Sequence, residues 1–360
     1  MPDTGGPAPI LGLEGITAAM VPVVGGKAAN LGELLAAGLP VPDGFCLTTD
    51  AYRQATAGDC TAVDAHRRGG TLAKVHAALQ TTPDGDLPAI AALASRARDI
   101  IRNAPVPNEV IAAVEQAYAA LGDNVPVAVR SSATAEDLPS ASFAGQQDTY
   151  LNVVGAAAVV EAVRNCWASL WTDRAVSYRA SRGIDPAAVA LAVVVQRMVD
   201  ATAAGVLFTA NPLTGRRNQA VIDASPGLGE AVVSGAVNPD HFVVDPFTGR
   251  VLERRLGDKR IAVRPIPGGG TRTLSSPNGG ATACLTDQQA AELAAFGHRV
   301  EGLFGSPQDI EWATAGDGRL WLTQARPITT LFPVRSGPPG RVHPPAKARA
   351  FTFASAWPRA

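Results

Sequence analysis

Cysteine is scarce in this 360-residue chain, and none of it is spaced in pairs. Cys46, Cys60, Cys166 and Cys284 lie far apart with no CxxC motif. That argues against a disulfide framework or a zinc site and for free thiols in a cytoplasmic protein. Long apolar runs are missing too. The longest, Ala187 to Val195, has nine residues, too few to cross a bilayer. No basic residue precedes Lys27, so the charged start of a signal peptide is lacking, and no membrane association is expected. Neither sign of charge is in excess. The 31 Lys+Arg and 32 Asp+Glu leave a net −1, without the basic surface of a non-specific nucleic-acid binder. Charged residues are 18% of the chain against 46% apolar, the reverse of the balance that keeps a chain disordered. What is plentiful is Gly and Pro, 36 and 28 residues. They imply many turns, in a chain long enough for about two domains.

Periodicity gives a mixed pattern. Residues 26–37 carry Leu31, Leu34 and Leu35 at helical spacing, with Gly38 where a C-terminal cap belongs and Pro40 blocking continuation. Residues 125–132 read as a strand, and 156–180, with Val159, Val163, Trp167 and Leu170 in steps of three and four, as one long helix. The run at 188–199 is apolar on both faces, as in a central buried strand. Short strands are predicted at 204–209, 219–223 and 241–245. A helix is predicted at 286–303 after Thr286 as N-cap, then strands at 309–313 and 319–324 joined by a turn at 315–318. The fold class is α+β, and no internal repeat is legible. From Arg335 onward there are five basic residues, five prolines and no acids. Such a tail (334–360) is expected to lack fixed structure.

Four segments carry chemistry-bearing residues. In Val24-Gly25-Gly26-Lys27, Ala28 follows the lysine and Val21 stands where a P-loop needs its first glycine, so this is not a P-loop. Two glycines and a lysine opening a helix still suit an anion, since backbone and helix N-terminus can approach it closely. An ordinary turn with a solvated lysine is the alternative. Arg130 ends an apolar strand before Ser131 and Ser132, and its guanidinium can fork onto phosphate oxygens. A salt bridge to Glu136 or Asp137 is the alternative. Gly145, between small and polar residues, suits a mobile loop over a phosphate tail. Gln196-Arg197-Met198-Val199 ends the most apolar strand, where backbone edges commonly read an adenine, although Met198 equally fits a core. Alternation puts Asp309 with Glu311, and Gln324 with Arg326, on one face of each of two strands. Side by side, these strands would converge a carboxylate, an amide oxygen and a guanidinium. Glu311 and Gln324 offer hard oxygens for Mg²⁺, and an exposed ion pair is the alternative. No nucleophilic triad is evident, and His66 and His298 read as solvated helical residues.

Taken in order, GGKAANL (25–31), VRSSATAEDLPSASFAGQQDTYLNV (129–153), GLGEAVVSGAVNPD (227–240), QDIEW (308–312) and QARPITTL (324–331) resemble the ATP-binding domain of the phosphoenolpyruvate synthase / pyruvate phosphate dikinase family. The resemblance covers roughly residues 10–333. Within the family, CWASLWTDRAVSYR (166–179), DASPGLGE (223–230) and ARPITTLFP (325–333) are most similar to the rifampin phosphotransferase branch. The resemblance implies a two-lobed ATP-grasp over residues 1–333, in two subdomains, with nucleotide clamped between the lobes. It implies that Lys27 and Arg130 grip the phosphates of ATP, and that Gly145 and Thr149 belong to a flap over them. It further implies that Gln196 and the following hinge read adenine, that Glu311 and Gln324 hold Mg²⁺, and that Arg326 stabilises the transferring phosphoryl group.

Family members also carry a swivelling domain with a phosphoryl-accepting histidine and a domain for the acceptor. The β-phosphoryl of ATP passes to that histidine and then to substrate, leaving AMP and phosphate. The present sequence is expected to stop near the linker after its ATP domain and to depend on such a histidine domain in cis or trans. Its acceptor is then a rifamycin or, in the alternative, pyruvate. A stand-alone nucleotide-sensing module is the reading from a different functional class.

Overall fold

The computed structural model describes residues 8–56, 72–83, 85–134, 149–181, 184–185, 189–276, 280, 282–329 and 331. The predicted flap glycine Gly145, the acids Glu136 and Asp137, His66, Cys60 and the 334–360 tail lie outside the described residues.

Two antiparallel sheets carry the fold, so the molecule mixes helix and sheet as expected. The first half of the chain runs β1 (Ile10–Gly12), α1 (Val21–Ala36), β2 (Gly44–Leu47), α2 (Thr49–Thr56), α3 (Leu72–Thr81), α4 (Leu87–Asn103), α5 (Asn108–Leu121), β3 (Val127–Ala133), β4 (Thr149–Val153), α6 (Ala156–Ser169), α7 (Asp173–Ser181) and β5 (Leu191–Arg197). Its strands form a five-stranded sheet in the order β1-β2-β5-β3-β4. The second half runs β6 (Ala201–Phe208), β7 (Ala220–Pro226), α8 (Glu230–Val233), β8 (Asp240–Val244), β9 (Val251–Arg255), β10 (Ile261–Pro265), β11 (Thr271–Ser275), α9 (Asp287–Phe304), β12 (Gln308–Ala315) and β13 (Leu320–Pro327). It forms a six-stranded sheet, β13-β12-β6-β7-β8-β9, and the separate hairpin β10-β11. Only Met198-Val199-Asp200 separates β5 in one sheet from β6 in the other.

The double-sided apolar run at 188–199 has its explanation in β5, which lies mid-sheet with Leu191 to Val195 fully buried. One face packs Val193 and Val195 against the helices α2 to α7. The other packs Ala192 and Val194, with Leu31 and Leu34 of α1, into a core that also takes Leu207, Ile222 and Ile310 from the six-stranded sheet. α1 therefore lies between the sheets. Asn30 Nδ2 donates to the Ala325 carbonyl of β13 at 3.0 Å, and the chain after α1 gives β13 an acceptor, Leu322 N–H donating to Pro40 O at 2.7 Å. Gly38 (φ 68°) ends α1 as predicted. Leu39 N–H bonds Leu34 O and Gly38 N–H bonds Leu35 O, the paired bonds of a Schellman cap. Thr286 caps α9 through a capping box with Gln289.

Two sequence expectations need correcting. The predicted helix at 156–180 is two helices. α6 ends at Ser169, Trp171 turns into the core, and Thr172 caps a new helix by accepting from Ala175 N–H at 3.3 Å. The steady apolar spacing through Leu170 hid the break, and Thr172-Asp173 is the start signal that was overlooked. The chain also has a short internal repeat. Asn211-Pro-Leu-Thr-Gly-Arg216 and Asp245-Pro-Phe-Thr-Gly-Arg250 link β6 to β7 and β8 to β9 with the same hydrogen bonds. In each, the first side chain accepts from the N–H groups two and three residues on, and its carbonyl accepts from the glycine, Gly215 (φ 73°) or Gly249 (φ 70°).

Candidate functional site

The site starts from β3. Alternation sends Arg130 and Ser132 to one side of this strand, the side that faces α1 and the six-stranded sheet. α1 is not continuous there. Gly25 has φ 73° and ψ 168°, so the helix breaks and restarts beside Lys27. A β-carbon on Gly25 would stand 2.2 Å from the Ser132 carbonyl oxygen, so only glycine admits this approach. The Ser132 hydroxyl fills the break. It donates to Val24 O at 2.8 Å and accepts from Ala28 N–H at 3.1 Å. Ser132, one of the two hydroxyls that follow Arg130, is fully buried and committed to α1.

β12 and β13 pair antiparallel with Asp309 opposite Arg326 and Glu311 opposite Gln324, and a register shift follows Glu311. The predicted convergence of these four side chains is therefore present. Arg130 reaches them from the other sheet. Its Nη2 donates to Glu311 Oε2 at 2.5 Å and to Gln324 Oε1 at 2.8 Å, and its Nη1 donates to Thr323 O at 2.8 Å. Arg130 is buried, and its Nε finds no acceptor among the described residues. Arg326 donates through Nε and Nη2 to Asp309 Oδ2, at 2.9 and 2.7 Å. Burial pushes the Glu311 carboxyl up, but Arg130, Lys27 and Arg326 together outweigh it and hold the group below the usual glutamate range. For Asp309 burial wins over Arg326, and the neighbouring Glu311 charge adds to it, so that carboxyl is raised. Three cations from distant stretches of sequence thus act on one carboxylate.

Thr149 is the register partner of Arg130 at the exposed start of β4. Gln196 lies on β5 opposite Ala128 and Gly44, buried, with Nε2 donating to Pro42 O at 3.4 Å. It sits just before the Met198–Asp200 crossover between the sheets. Three contributors escaped the sequence reading: Ser132 as the filler of the α1 break, Asp309 as the partner that orients Arg326, and the Thr323 carbonyl. Another group also went unassigned. The lateral register Gln324–Glu311–Val206–Asp223–His241 runs across one face of the six-stranded sheet, and His241 Nδ1 lies 2.7 Å from Asp223 Oδ1. The pair was visible only once the strands were aligned.

Chemically, the arrangement offers an anion a buried unpartnered guanidinium N–H, a lysine at a helix restart and a second guanidinium. It offers a hard cation an ionised carboxylate oxygen and an amide oxygen on adjacent strands. Among the described residues no cluster of three His, Cys, Asp or Glu side chains is placed to hold a metal alone, and none of their helices is long and apolar enough to cross a membrane.

Comparison with known proteins shows the family. Residues 21–336 match the family described as pyruvate phosphate dikinase, AMP/ATP-binding domain. The sequence is 50% identical over 327 residues to a rifampicin phosphotransferase of a Streptomyces species, covering 90% of this chain and 36% of that one. It is 44% identical over 346 residues to a probable phosphoenolpyruvate synthase of Pyrococcus horikoshii, covering 86% of this chain and 42% of that one. A rifampicin phosphotransferase of Bacillus subtilis is 44% identical over 327 residues. The chain spans about two fifths or less of the length of these relatives.

Proposed function

The chain belongs to the pyruvate phosphate dikinase AMP/ATP-binding domain family, and we propose that it binds Mg·ATP in ATP-grasp fashion between its two sheets, as the phosphoryl-donating part of a dikinase-type phosphotransferase. One observation carries the reading: Lys27, Arg130 and Arg326, far apart in sequence, bear on Glu311, which lies beside Gln324. In this reading Lys27 and Arg130 neutralise the phosphates, the Arg130 Nε–H finds its acceptor there, and Arg326, held by Asp309, faces the group in transfer. Gln196 and the Met198–Asp200 crossover border the base. Phosphoryl transfer asks little covalent chemistry of a protein and depends on positioning and charge neutralisation, which is what these residues supply.

Mg²⁺ fits the donor set. Glu311 stays ionised and engages Arg130 through one oxygen, Oε2, while Gln324 brings a neutral oxygen that accepts from Arg130 at 2.8 Å and keeps its second lone pair. Phosphate and water complete the shell of such an ion. The metal supplies charge neutralisation at the phosphates. The β-phosphoryl group then goes to a histidine on a phosphocarrier domain and on to the acceptor, while water takes the γ-phosphoryl group, so that AMP and phosphate are the other products. We take a rifamycin as the acceptor, because the 50% identical relative is a rifampicin phosphotransferase. Pyruvate is the second reading, favoured by the 44% identity to a probable phosphoenolpyruvate synthase.

Calorimetry with Mg·ATP tests the nucleotide reading. Lys27→Ala removes a charge-assisted contact of about 1.5–3 kcal/mol and should weaken ATP roughly 10- to 150-fold. Arg130→Ala is the poorer probe, since it also strands Glu311. Unchanged affinity in Lys27→Ala, in a variant as stable as the parent, overturns the assignment. Adding a histidine domain and following AMP release with a rifamycin or with pyruvate then separates the two acceptors.

A further inference from the structure

We infer that Ser132 is the positioning residue that fixes Lys27 on the nucleotide; the inference rests on the Mg·ATP reading above. In an unbroken helix the Ala28 N–H would bond the Val24 carbonyl four residues back. Here the Ser132 hydroxyl stands in that rung, accepting from Ala28 N–H at 3.1 Å and donating to Val24 O at 2.8 Å. A side chain inserted into the ladder is one of the few causes of a sharp helix break. The insertion is forced from both sides. Gly25 is in a conformation that other residues rarely adopt (φ 73°), and a β-carbon added there would stand 2.2 Å from the Ser132 carbonyl oxygen.

Lys27 lies between the two bridged residues, so the hydroxyl sets the direction in which its stem leaves the helix. Ser132 is two residues from Arg130 on the same face of β3. One strand thereby aims both cations: Arg130 directly, and Lys27 through a hydroxyl. Without the hydroxyl, Ala28 N–H would be buried and unmatched, and Val24 O would keep only the weak Cys46 thiol donor at 3.7 Å, unless α1 closed its own rung. Closing that rung straightens the helix and moves Lys27 away from the cluster around Glu311. The role differs from that of a stabilising hydrogen bond, because its loss is felt in ligand affinity through Lys27.

A double-mutant cycle measured by calorimetry separates the two roles. Ser132→Ala should weaken Mg·ATP about tenfold. In a Lys27→Ala background the same change should cost nothing more, because the residue it positions is already gone. Ser132→Thr, which keeps the hydroxyl, should restore affinity. If Ser132→Ala fails to fold, Ser132→Cys, similar in size and a poor hydrogen-bonding group, takes its place in the cycle. Full ATP affinity in Ser132→Ala or Ser132→Cys, or losses that simply add to that of Lys27→Ala, overturns the inference while leaving the nucleotide reading intact. A parent chain that binds no Mg·ATP overturns both.

Discussion

Arg130 ties the two sheets together through one guanidinium shared among Glu311, Gln324 and Thr323, and the state of Glu311 decides what that tie contributes. The Glu311 carboxyl is held below its ordinary value by Arg130, Lys27 and Arg326 against the opposing effect of burial. A carboxyl with a depressed folded-state pKa stabilises the fold above its unfolded value, about 4.3. That contribution is lost as pH falls through the folded value. Asp309, raised by burial, works the other way, because protonating it relieves a cost. Urea denaturation at a series of acidic pH values should therefore show the parent losing stability below about pH 4 more steeply than Glu311→Gln, in which the depressed group is gone. Equal slopes would remove Glu311 from the network. At this scale the sequence was legible where a motif was local. Gly25-Gly26-Lys27, Arg130 after its strand and the Asp309/Glu311 alternation could all be read from neighbours. The Ser132 bridge was not, because its partners Val24 and Ala28 lie more than 100 residues away.

Elements differ in how much their sequences reveal. α9 was readable from Thr286 as its N-cap and β5 from its unbroken apolar run. The helix α4 was not, because alanine fills both its inner and its outer positions. In α4 the buried stripe is Ile90, Ala94, Ala97 and Ile101, half of it indistinguishable from the exposed alanines. β9 and β11 are mostly exposed, so neither carries an apolar alternation. Glycines mark the element boundaries, but for two separate reasons. Gly215 in the first of the twin loops has φ 73° with nothing within 4 Å of an added β-carbon, so Gly215→Ala should cost only the backbone strain, about 1–2 kcal/mol. Gly25 shares that φ but adds collision with the Ser132 backbone. Gly25→Ala should lower stability by more than Gly215→Ala, about 3 kcal/mol or more. It should also weaken Mg·ATP, which Gly215→Ala should leave alone. Thermal denaturation and calorimetry on both variants check this, and a Gly25→Ala protein with parental stability and affinity would contradict the close packing of α1 on β3.

For the whole molecule, the question is whether two sheets behave as two units or one. Their covalent link is short, but more than that link joins them. The core containing α1 takes Ala192 and Val194 from one sheet and Leu207, Ile222, Phe242 and Ile310 from the other. A second tie runs through the hairpin: Asn152 of β4 donates to the Ile266 and Gly270 carbonyls at 2.8 and 2.6 Å and accepts from Gly270 N–H at 2.8 Å. Unfolding either sheet alone would expose half of a common core and leave Arg130 and Glu311 without each other. Scanning calorimetry of the parent chain should therefore show one transition. Mg·ATP binds only the closed fold in this reading, so at about 100 times its dissociation constant it should add about 2.7 kcal/mol. The entire transition should then move upward as a single peak. Two resolved transitions, with nucleotide shifting only one, would mean that the sheets fold independently and that the cleft between them is not built into the folded state.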